Sequence, residues 1–426
     1  MKEPTAVDPA LAREVQRQLA ILMRGVVDCV AADDLARRLA AALAAGRPLR
    51  VKLGFDPTSS DLHVGHAVVL RKLRQFQDLG HHAIFIVGGA TAMLGDPSGK
   101  DKTRPTLTRE QVERNAQSYL EQAFKVVRRE ERYADGRAGE IEVRNNADWF
   151  LELRFADFIR LCSKMTVARM IERDNFTKRM KEGAPIGIHE FVYPLLQGQD
   201  SVEVKADVEL GGTDQLFNLL VGRDLQADAG QPPQICMTMK VLPGLDGVQK
   251  MSKSLGNYVG LTFPPDEVFG KVMSVPDALI PLWVELLTDR FVAEQGEASL
   301  AAALASNPRE TKAGVAESIT AWLHGEQAAG EARMRFDRVF KEKDVSHDAP
   351  ERVLPRAEVP EGKLWIVDLL CRLEFAASRS EARRLVQGNG VKLNGVVAAD
   401  DKLEVDLREP VLLQAGKRRF AWVSVR

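Results

Sequence analysis

Residues 56–80 read DPTSSDLHVGHAVVLRKLRQFQDLG: a polar loop, two histidines set around Val64 and Gly65, then a helical pattern. A helix N-terminus presents free backbone N–H groups and the positive end of the macrodipole. Compact, neutral donors such as His63 and His66 at that point suit a polyphosphate that must approach closely. Upstream, LRVKLGFD (49–56) reads as a strand, and downstream HHAIFIVGGA (81–90) reads as the next. The alternation continues through IEVRNNADWF (141–150), the helical RFADFIRLCSKMTVARMIERD (154–174), VKADVELGGTDQLFNLLVGRDLQ (204–226) and QICMTMKVLPG (234–244). Such a run predicts an α/β fold with a Rossmann-like, doubly wound parallel sheet. Ligands in these sheets sit beyond the C-terminal ends of the strands, where Gly54-Phe55-Asp56, Gly88-Gly89 and Gly211-Gly212 fall.

The 426-residue chain exceeds the usual size of one core, so more than one domain is expected. Residues 1–265 are assigned to the sheet domain with helices at its N-terminus. Past residue 265 the strand signal fades, and PDALIPLWVELLTDR, ASLAAALA and ETKAGVAESITAWLHGEQAAGEARMRFDRVFKEKD read as amphipathic helices of a second domain, 266–346. Pro350, Pro355 and Pro360 lie among charges in 347–362, which suits an extended linker. Residues 363–426 read as two short helices, a glycine-asparagine turn and strands, a small α+β domain. They hold 12 Lys and Arg against 8 Asp and Glu, whereas the whole chain carries a net charge of −1. The near-neutral total argues against general nucleic-acid coating but allows a local basic face, and the positive charge is displaced to the C-terminus. The four cysteines lie far apart with no metal-ligand spacing, and no protein-ligated metal is expected. The N-terminus lacks a secretory pattern and no run is long enough for a bilayer span, so a cytoplasmic protein without a membrane partner is expected.

A second motif sharpens the reading of the histidines. Lys250-Met-Ser-Lys253-Ser lies inside LDGVQKMSKSLGN, where flanking glycines mark a loop, and its two lysines can clamp phosphate oxygens as point charges. By contrast GDPSGK (95–100) lacks the spacing and the hydroxyl residue of a phosphate-binding loop.

These stretches together carry a resemblance. GFDPTSSDLHVGH (54–66), GGATAMLGDPSG (88–99), RNNADW (144–149), YPLLQGQDS (193–201), VELGGTDQLFN (208–218) and KMSKS (250–254) are similar, in order, to the motifs of class I aminoacyl-tRNA synthetases of the bacterial tyrosyl branch. The similarity runs through the C-terminal domain, which resembles a small RNA-binding fold of a ribosomal small-subunit protein; residues 266–346 would then be the anticodon-binding domain. The resemblance implies activation of tyrosine by ATP, transfer to the 3′-terminal adenosine of tRNA(Tyr), Mg²⁺ that travels with the nucleotide, and a homodimer.

It also implies roles for particular residues. His63, His66, Lys250 and Lys253 would be catalytic, and Gly54, Asp56, Gly65, Gly212 and Asp214 would join them around ATP. Asp200 would take the tyrosine hydroxyl, a buried acceptor left unpaired when phenylalanine binds. Tyr193, Gln197 and Asp200 stand at i, i+4 and i+7, one helical face. Tyr193, Gln197 and Asp96 would surround the substrate ammonium, with Thr91 and Asn146 nearby and Gln215 on the carboxylate side. Arg379, Arg383, Arg384, Lys417, Arg418 and Arg419 would meet the tRNA backbone.

Many relatives carry a tyrosine where this chain has Lys52, and an aromatic residue where it has Gln199. Lys52 is therefore expected either to point at Asp200 in the amino-acid pocket and keep it ionised or to face away. Two other enzyme classes share parts of the pattern: tryptophanyl-tRNA synthetases and small-molecule nucleotidylyltransferases. A non-catalytic RNA-binding descendant would be expected to have lost one of His63, His66, Lys250 or Lys253, and all four are present.

Overall fold

The structure is a computed structural model and describes residues 8–58, 61–98, 107–129, 141–289, 296–339, 349–356, 359, 361–416 and 419–425. The chain divides into two compact units, 1–330 and 331–426.

The first unit is built on a six-stranded sheet. Its strands are β1 (Val26–Val30), β2 (Arg50–Phe55), β3 (His82–Val87), β4 (Ile141–Asn145), β5 (Val208–Gly212) and β6 (Ile235–Met239), in the order β1-β6-β5-β2-β3-β4. All neighbours are parallel except β1, which pairs antiparallel to β6 at the edge. β3 and β6 are almost wholly buried apolar runs, as strands covered on both faces must be. The chain winds outward from β2 through β3 to β4, then returns to β5 on the other side of β2. That reversal opens a crevice at the C-terminal ends of β2 and β5, beside Gly54–Asp56 and Gly212–Gln215. The sequence reading located every parallel strand but not β1, a five-residue edge strand between two helices with no clear alternation.

Two helices aim side chains at the crevice. Helix Val64–Asp78 has His63 at its N-cap, and its rear is anchored by the buried Lys72. The Lys72 ammonium donates to the carbonyls of Ile21 (3.2 Å), Leu22 (2.9 Å) and Arg24 (2.9 Å), closing the end of helix Pro9–Met23. Helix Ile188–Glu203 starts with Glu190 accepting from Gly187 N–H (2.8 Å) and pairing with the buried Arg179 (2.6 Å). The stripe that could have been an ordinary polar surface faces inward: Tyr193 and Asp200 are buried.

Beyond the sheet the same unit contains helices Pro265–Met273, Ile280–Leu287, Gly296–Ser306 and Pro308–His324. Arg24 donates to the carbonyls of Val284 (3.0 Å) and Thr288 (3.1 Å), where helix Ile280–Leu287 ends.

The second unit has a five-stranded sheet and a two-stranded one. With β7 (Glu351–Leu354), β8 (Lys363–Trp365), β9 (Val391–Leu393), β10 (Val396–Val397), β11 (Glu404–Asp406), β12 (Val411–Ala415) and β13 (Arg419–Val425), the orders are β10-β9-β12-β13-β7 and β11-β8. Helices Ile366–Arg372 and Arg379–Gln387 close its core around Ile366, Leu370, Val386, Leu413 and Val423. Within the segment expected to be a linker, Glu351–Leu354 instead forms β7, parallel to β13, with Leu354 buried. Its flanking Pro350 and Pro355 are tolerated because β7 is an edge strand.

Candidate active site

Every residue assigned above to nucleotide or amino acid, except Lys52, lines one cleft of about 1240 Å³ in the first unit. Its floor is the crevice at β2 and β5, and its two ends differ in chemistry.

At one end stand the histidines. Their rings lie 3.9 Å apart, and His66 Nδ1 accepts the backbone N–H of His63 at 3.2 Å. Loss of hydration, reinforced by Lys253 and Lys250, pushes His63 down to about 4; the same causes, with His63 added, hold His66 well below its ordinary value. Both imidazoles are thus neutral at pH 7, able to donate without themselves carrying charge. His63 Nδ1 is buried and has no partner among the described residues. A Cβ on Gly65 would come within 2.9 Å of that ring, so a glycine here lets His63 keep its place.

The Lys250–Ser254 loop folds against this helix start. His63 and Gly260 form an antiparallel bridge, and Val64 N–H donates to Val259 O at 2.9 Å. Asp246 and Asn257 organise the loop. The Asp246 carboxylate accepts from Val248 N–H (2.8 Å), Gln249 N–H (2.9 Å) and Asn257 Nδ2 (2.5 Å), while Asn257 Oδ1 accepts Ser252 N–H (2.8 Å). These bonds direct Lys250 onto Asp214 (3.1 Å) and Lys253 onto Asp61 (2.5 Å). Sequence reading missed Asp246, Asn257 and Asp61, although Asp246 and Asn257 border the motif it singled out.

The middle of the cleft is a polar lattice. Asp56 accepts from Tyr193 Oη (2.8 Å) and Thr91 Oγ1 (2.7 Å); a Cβ on Gly88 would collide with both Asp56 and Thr91. Asp96 accepts from Ser98 N–H (2.8 Å) and Gln215 Nε2 (2.9 Å), and Arg173 lies 3.7 Å away. The buried Asn218 ties Gln197 (2.8 Å) to Gln215 (3.1 Å). Asp96, tied to Ser98, Gln215 and Arg173, and Gln197, tied to Asn218, thus present oxygen atoms at the cleft, an environment suited to an ammonium group.

At the other end lies Asp200, 3% exposed. One oxygen accepts from Asn146 Nδ2 (3.2 Å) and the other from Trp149 Nε1 (3.1 Å). Burial raises its pKa to about 7 against the opposing pull of Lys52, Asn146 and Trp149. Lys52 itself sits below the cleft rather than in it. Its three N–H bonds go to Gln197 O (2.8 Å), Ser201 Oγ (2.8 Å) and Glu209 Oε1 (2.9 Å), so it does not bond Asp200. Glu209 also accepts from Gln197 (3.2 Å), Ser201 (2.9 Å) and Gln234, a fully satisfied buried ion pair. Trp149 and Glu209 were not singled out from the sequence. A charged residue mid-strand in a run otherwise buried, as at Lys52 and Glu209 on adjacent paired strands, is the signal that could have found the pair.

In the second unit Arg383 and Arg384 are exposed on helix Arg379–Gln387, with the Arg383 guanidinium 5.3 Å from the centroid of the Trp365 ring. Arg379 is held by Asp368 through two bonds of 2.6 and 3.1 Å, and Arg419 donates to Phe375 O. Lys417 and Arg418 lie outside the described residues. Among the described residues no group of three or more His, Cys, Asp or Glu is placed to hold a metal ion, and no helix is long and apolar enough to cross a membrane.

A nucleotide-sized crevice at the sheet reversal, neutral histidines at a helix start and a two-lysine loop folded over them describe an enzyme that handles a polyphosphate. The family model for class I tRNA synthetases of the W and Y type matches residues 44–341, and that for the S4 domain matches 364–409. The chain belongs to the class I tRNA synthetases. Within them it is a member of the bacterial tyrosyl-tRNA synthetase family: it is 49% identical over 414 residues to the tyrosine–tRNA ligase of Moorella thermoacetica, covering 96% of each chain. The corresponding ligase of Symbiobacterium thermophilum is 48% identical over 97% of this chain and 98% of its own. Among solved structures, a truncated mitochondrial tyrosyl-tRNA synthetase from Aspergillus nidulans matches with a TM-score of 0.63 at 22% identity, covering 78% of this chain and 98% of that one. A tryptophanyl-tRNA synthetase from Encephalitozoon cuniculi matches with a TM-score of 0.54 at 14% identity, over 77% of this chain and 92% of that one. The shared fold therefore does not separate the two amino acids; the full-length relatives do.

Proposed function

We propose that the protein activates L-tyrosine with ATP and then transfers it to the 3′-terminal adenosine of tRNA(Tyr). The observation that carries this reading is a single cleft with phosphate-binding groups at one end and a buried, held carboxylate at the other. In the first step a tyrosine carboxylate oxygen bonds to the α-phosphorus, and the bond from that phosphorus to the bridging oxygen breaks, its electron pair leaving with pyrophosphate. The nucleophile is already ionised at neutral pH, so no side-chain base is needed. Catalysis comes from alignment and from charge placed on the developing phosphorane and leaving group. His63 and His66 donate to phosphate oxygens, and Lys250 and Lys253 exchange Asp214 and Asp61 for the departing pyrophosphate. Gly54, Asp56, Gly65 and Gly212 leave backbone and room for adenine and ribose, with Asp214 at the ribose. Asp96, Tyr193 and Gln197 hold the ammonium, with Thr91 and Asn146 behind them, and Gln215 faces the carboxylate. Asp200 accepts the phenol O–H. In the second step a ribose hydroxyl of the tRNA attacks the acyl carbon and AMP leaves.

Mg²⁺ enters with ATP as part of the substrate. The first unit exposes Phe155, Ile159, Val167 and Ile188 on neighbouring helices, and a second copy covering this apolar face would give the homodimer. Arg383 and Arg384 approach the tRNA backbone from the second unit, with Arg379, Lys417, Arg418 and Arg419 adding to its positive field. These substrates place the work in the cytoplasm. The test is pyrophosphate exchange into ATP with tyrosine, tryptophan and phenylalanine supplied singly and no tRNA. Exchange with tyrosine alone is expected; exchange with tryptophan instead, or with none, overturns the reading.

A further inference from the structure

The two lysines of the loop rest on carboxylates of different standing. Asp214, which meets Lys250, has a place at the ribose; Asp61, which meets Lys253, lines the same cleft but has no part of either substrate assigned to it. The backbone that carries Asp61 is fixed. The next residue, Leu62, is fully buried, its N–H donates to Gln122 Oε1 (2.7 Å), and its carbonyl accepts Leu261 N–H (3.0 Å). Asp61 therefore stands two residues before the His63 N-cap as a half-exposed carboxylate on a held segment. Lys253 arrives from the other side on a tight turn. Gly256 N–H donates to Lys253 O at 3.0 Å, and Gly256 takes a φ of 66°, which glycine adopts without strain. The ammonium then meets Asp61 Oδ2 at 2.5 Å. Its charge also bears on His63, whose pKa is lowered first by loss of hydration and next by Lys253. The lysine thus belongs to the phosphate end, where a carboxylate of the chain and the phosphate oxygens of a ligand seek the same N–H groups. A carboxylate so close offsets much of the field that a phosphate would feel from the ammonium, and adds its own repulsion.

We infer that Asp61 is a positioning residue that sets the hold on polyphosphate: it competes with phosphate oxygens for the Lys253 ammonium, so that ATP and pyrophosphate are bound less tightly than the loop would otherwise bind them. The inference rests on the tyrosine-activating reading of the cleft and deepens it, because Asp61 takes Lys253 back as pyrophosphate leaves. A residue that merely shaped the loop would have the opposite sign, since its loss would weaken both ligands.

The test is single-turnover formation of tyrosyl-adenylate by the full-length Asp61→Asn and Asp61→Ser variants at varied ATP, and its reversal at varied pyrophosphate, with no tRNA. An exposed ion pair is worth up to about fivefold in an equilibrium constant. The second-order rate constant at low ATP should therefore rise about threefold, and the half-saturating pyrophosphate should fall about threefold. Tyrosine affinity should not change. In a Lys253→Ala background the Asp61→Asn change should do little, because there is then no ammonium to release. A slower reaction at low ATP with weaker pyrophosphate binding in both variants would mean that Asp61 holds the nucleotide, its Mg²⁺ or the shape of the loop, and overturns the inference. An equal gain in the Lys253→Ala background also overturns it, since that gain would come from the field of Asp61 alone. Wild-type activity separates the remaining failures: a wild type that forms no adenylate with tyrosine defeats the reading of the cleft, whereas a normal wild type beside indifferent Asp61 variants defeats only the role of Asp61.

Discussion

The two ends of the cleft hold charge in opposite ways. At the phosphate end Lys250 is 65% exposed and Lys253 27%, each resting on a single carboxylate. Exposed pairs of this kind are worth about 0–1 kcal/mol, so a phosphate oxygen can replace the carboxylate at little cost. At the amino-acid end Lys52, Glu209 and Asp200 are almost completely buried, and each is tied to two or more partners from other segments. Removing one partner of the buried Lys52–Glu209 pair costs about 3–5 kcal/mol. Charges to be handed to a ligand are kept loosely in the open; charges that must hold their geometry are enclosed. The contrast fits a cleft whose phosphate side moves through the reaction while its specificity side stays fixed.

The strongest way to break this comparison is at the enclosed end. Asp200→Ala strands the donors of Asn146 and Trp149 and removes the acceptor for the substrate hydroxyl. We expect kcat/KM for tyrosine activation to fall by about 10²- to 10³-fold, mostly through KM. A loss confined to kcat would place Asp200 on the wrong side of the comparison. Next in size, Lys253→Ala should slow adenylate formation by about 10²-fold in single-turnover measurements and leave tyrosine affinity unchanged. An unaltered rate would remove that lysine from the chemistry, and a weakened tyrosine affinity would blur the division between the two ends.

The same division explains what the sequence made legible. The phosphate end is written in two contiguous motifs, because a helix start and a loop each bring their groups together over a few residues. His63 and His66 share one helical turn, and Lys250 and Lys253 share one loop. The parallel strands were equally plain, since β3 and β6 are buried on both faces and read as apolar runs. The amino-acid end is assembled by topology. Asn146 and Trp149 come from the turn after β4, Asp200 from a helix, Lys52 from β2 and Glu209 from β5. Only the helical spacing of Tyr193, Gln197 and Asp200 could be read locally. Whether Lys52 pointed to Asp200 or away depended on the register of β2 against β5, where Lys52 stands opposite Glu209. That pairing decides the matter, and single-sequence periodicity does not contain it. For β7, the prolines that suggested a linker were compatible with an edge strand once β13 was there to pair with it.

A smaller effect should come from the second unit. Replacing Arg383 and Arg384 together by alanine should raise the KM for tRNA in aminoacylation by about tenfold and flatten its dependence on salt, while tyrosine-dependent pyrophosphate exchange is unchanged. Arg379→Ala should do less, because Asp368 already engages that guanidinium through two bonds. A parallel loss of exchange activity would mean that these arginines are not confined to tRNA, and would extend the comparison beyond the cleft.

The smallest effect concerns what the enclosed end costs the fold. Burial raises Asp200 from an ordinary 3.8 to about 7. Between those values the folded chain retains a proton that the unfolded chain has released, so stability falls as pH rises from about 4 to about 7 and is level above that. The raised value is a penalty carried at neutral pH, where the ionised carboxylate is the form that accepts the substrate hydroxyl. Asp200→Asn removes the titration while keeping the shape. Its amide nitrogen faces one of the two donors, which offsets part of the gain, so a net stabilisation of about 1–2 kcal/mol is expected at pH 8. Thermal unfolding of wild type and variant at pH 8 and at pH 4.5 checks the sign: the variant should unfold at the higher temperature at pH 8 and lose that advantage at pH 4.5. An advantage that persisted at low pH would trace to packing rather than to charge. A variant less stable at both values would mean that Asn146, Trp149 and the nearby Lys52 repay the burial of this carboxylate in full, leaving the specificity end as cheap to hold as the exposed lysines opposite.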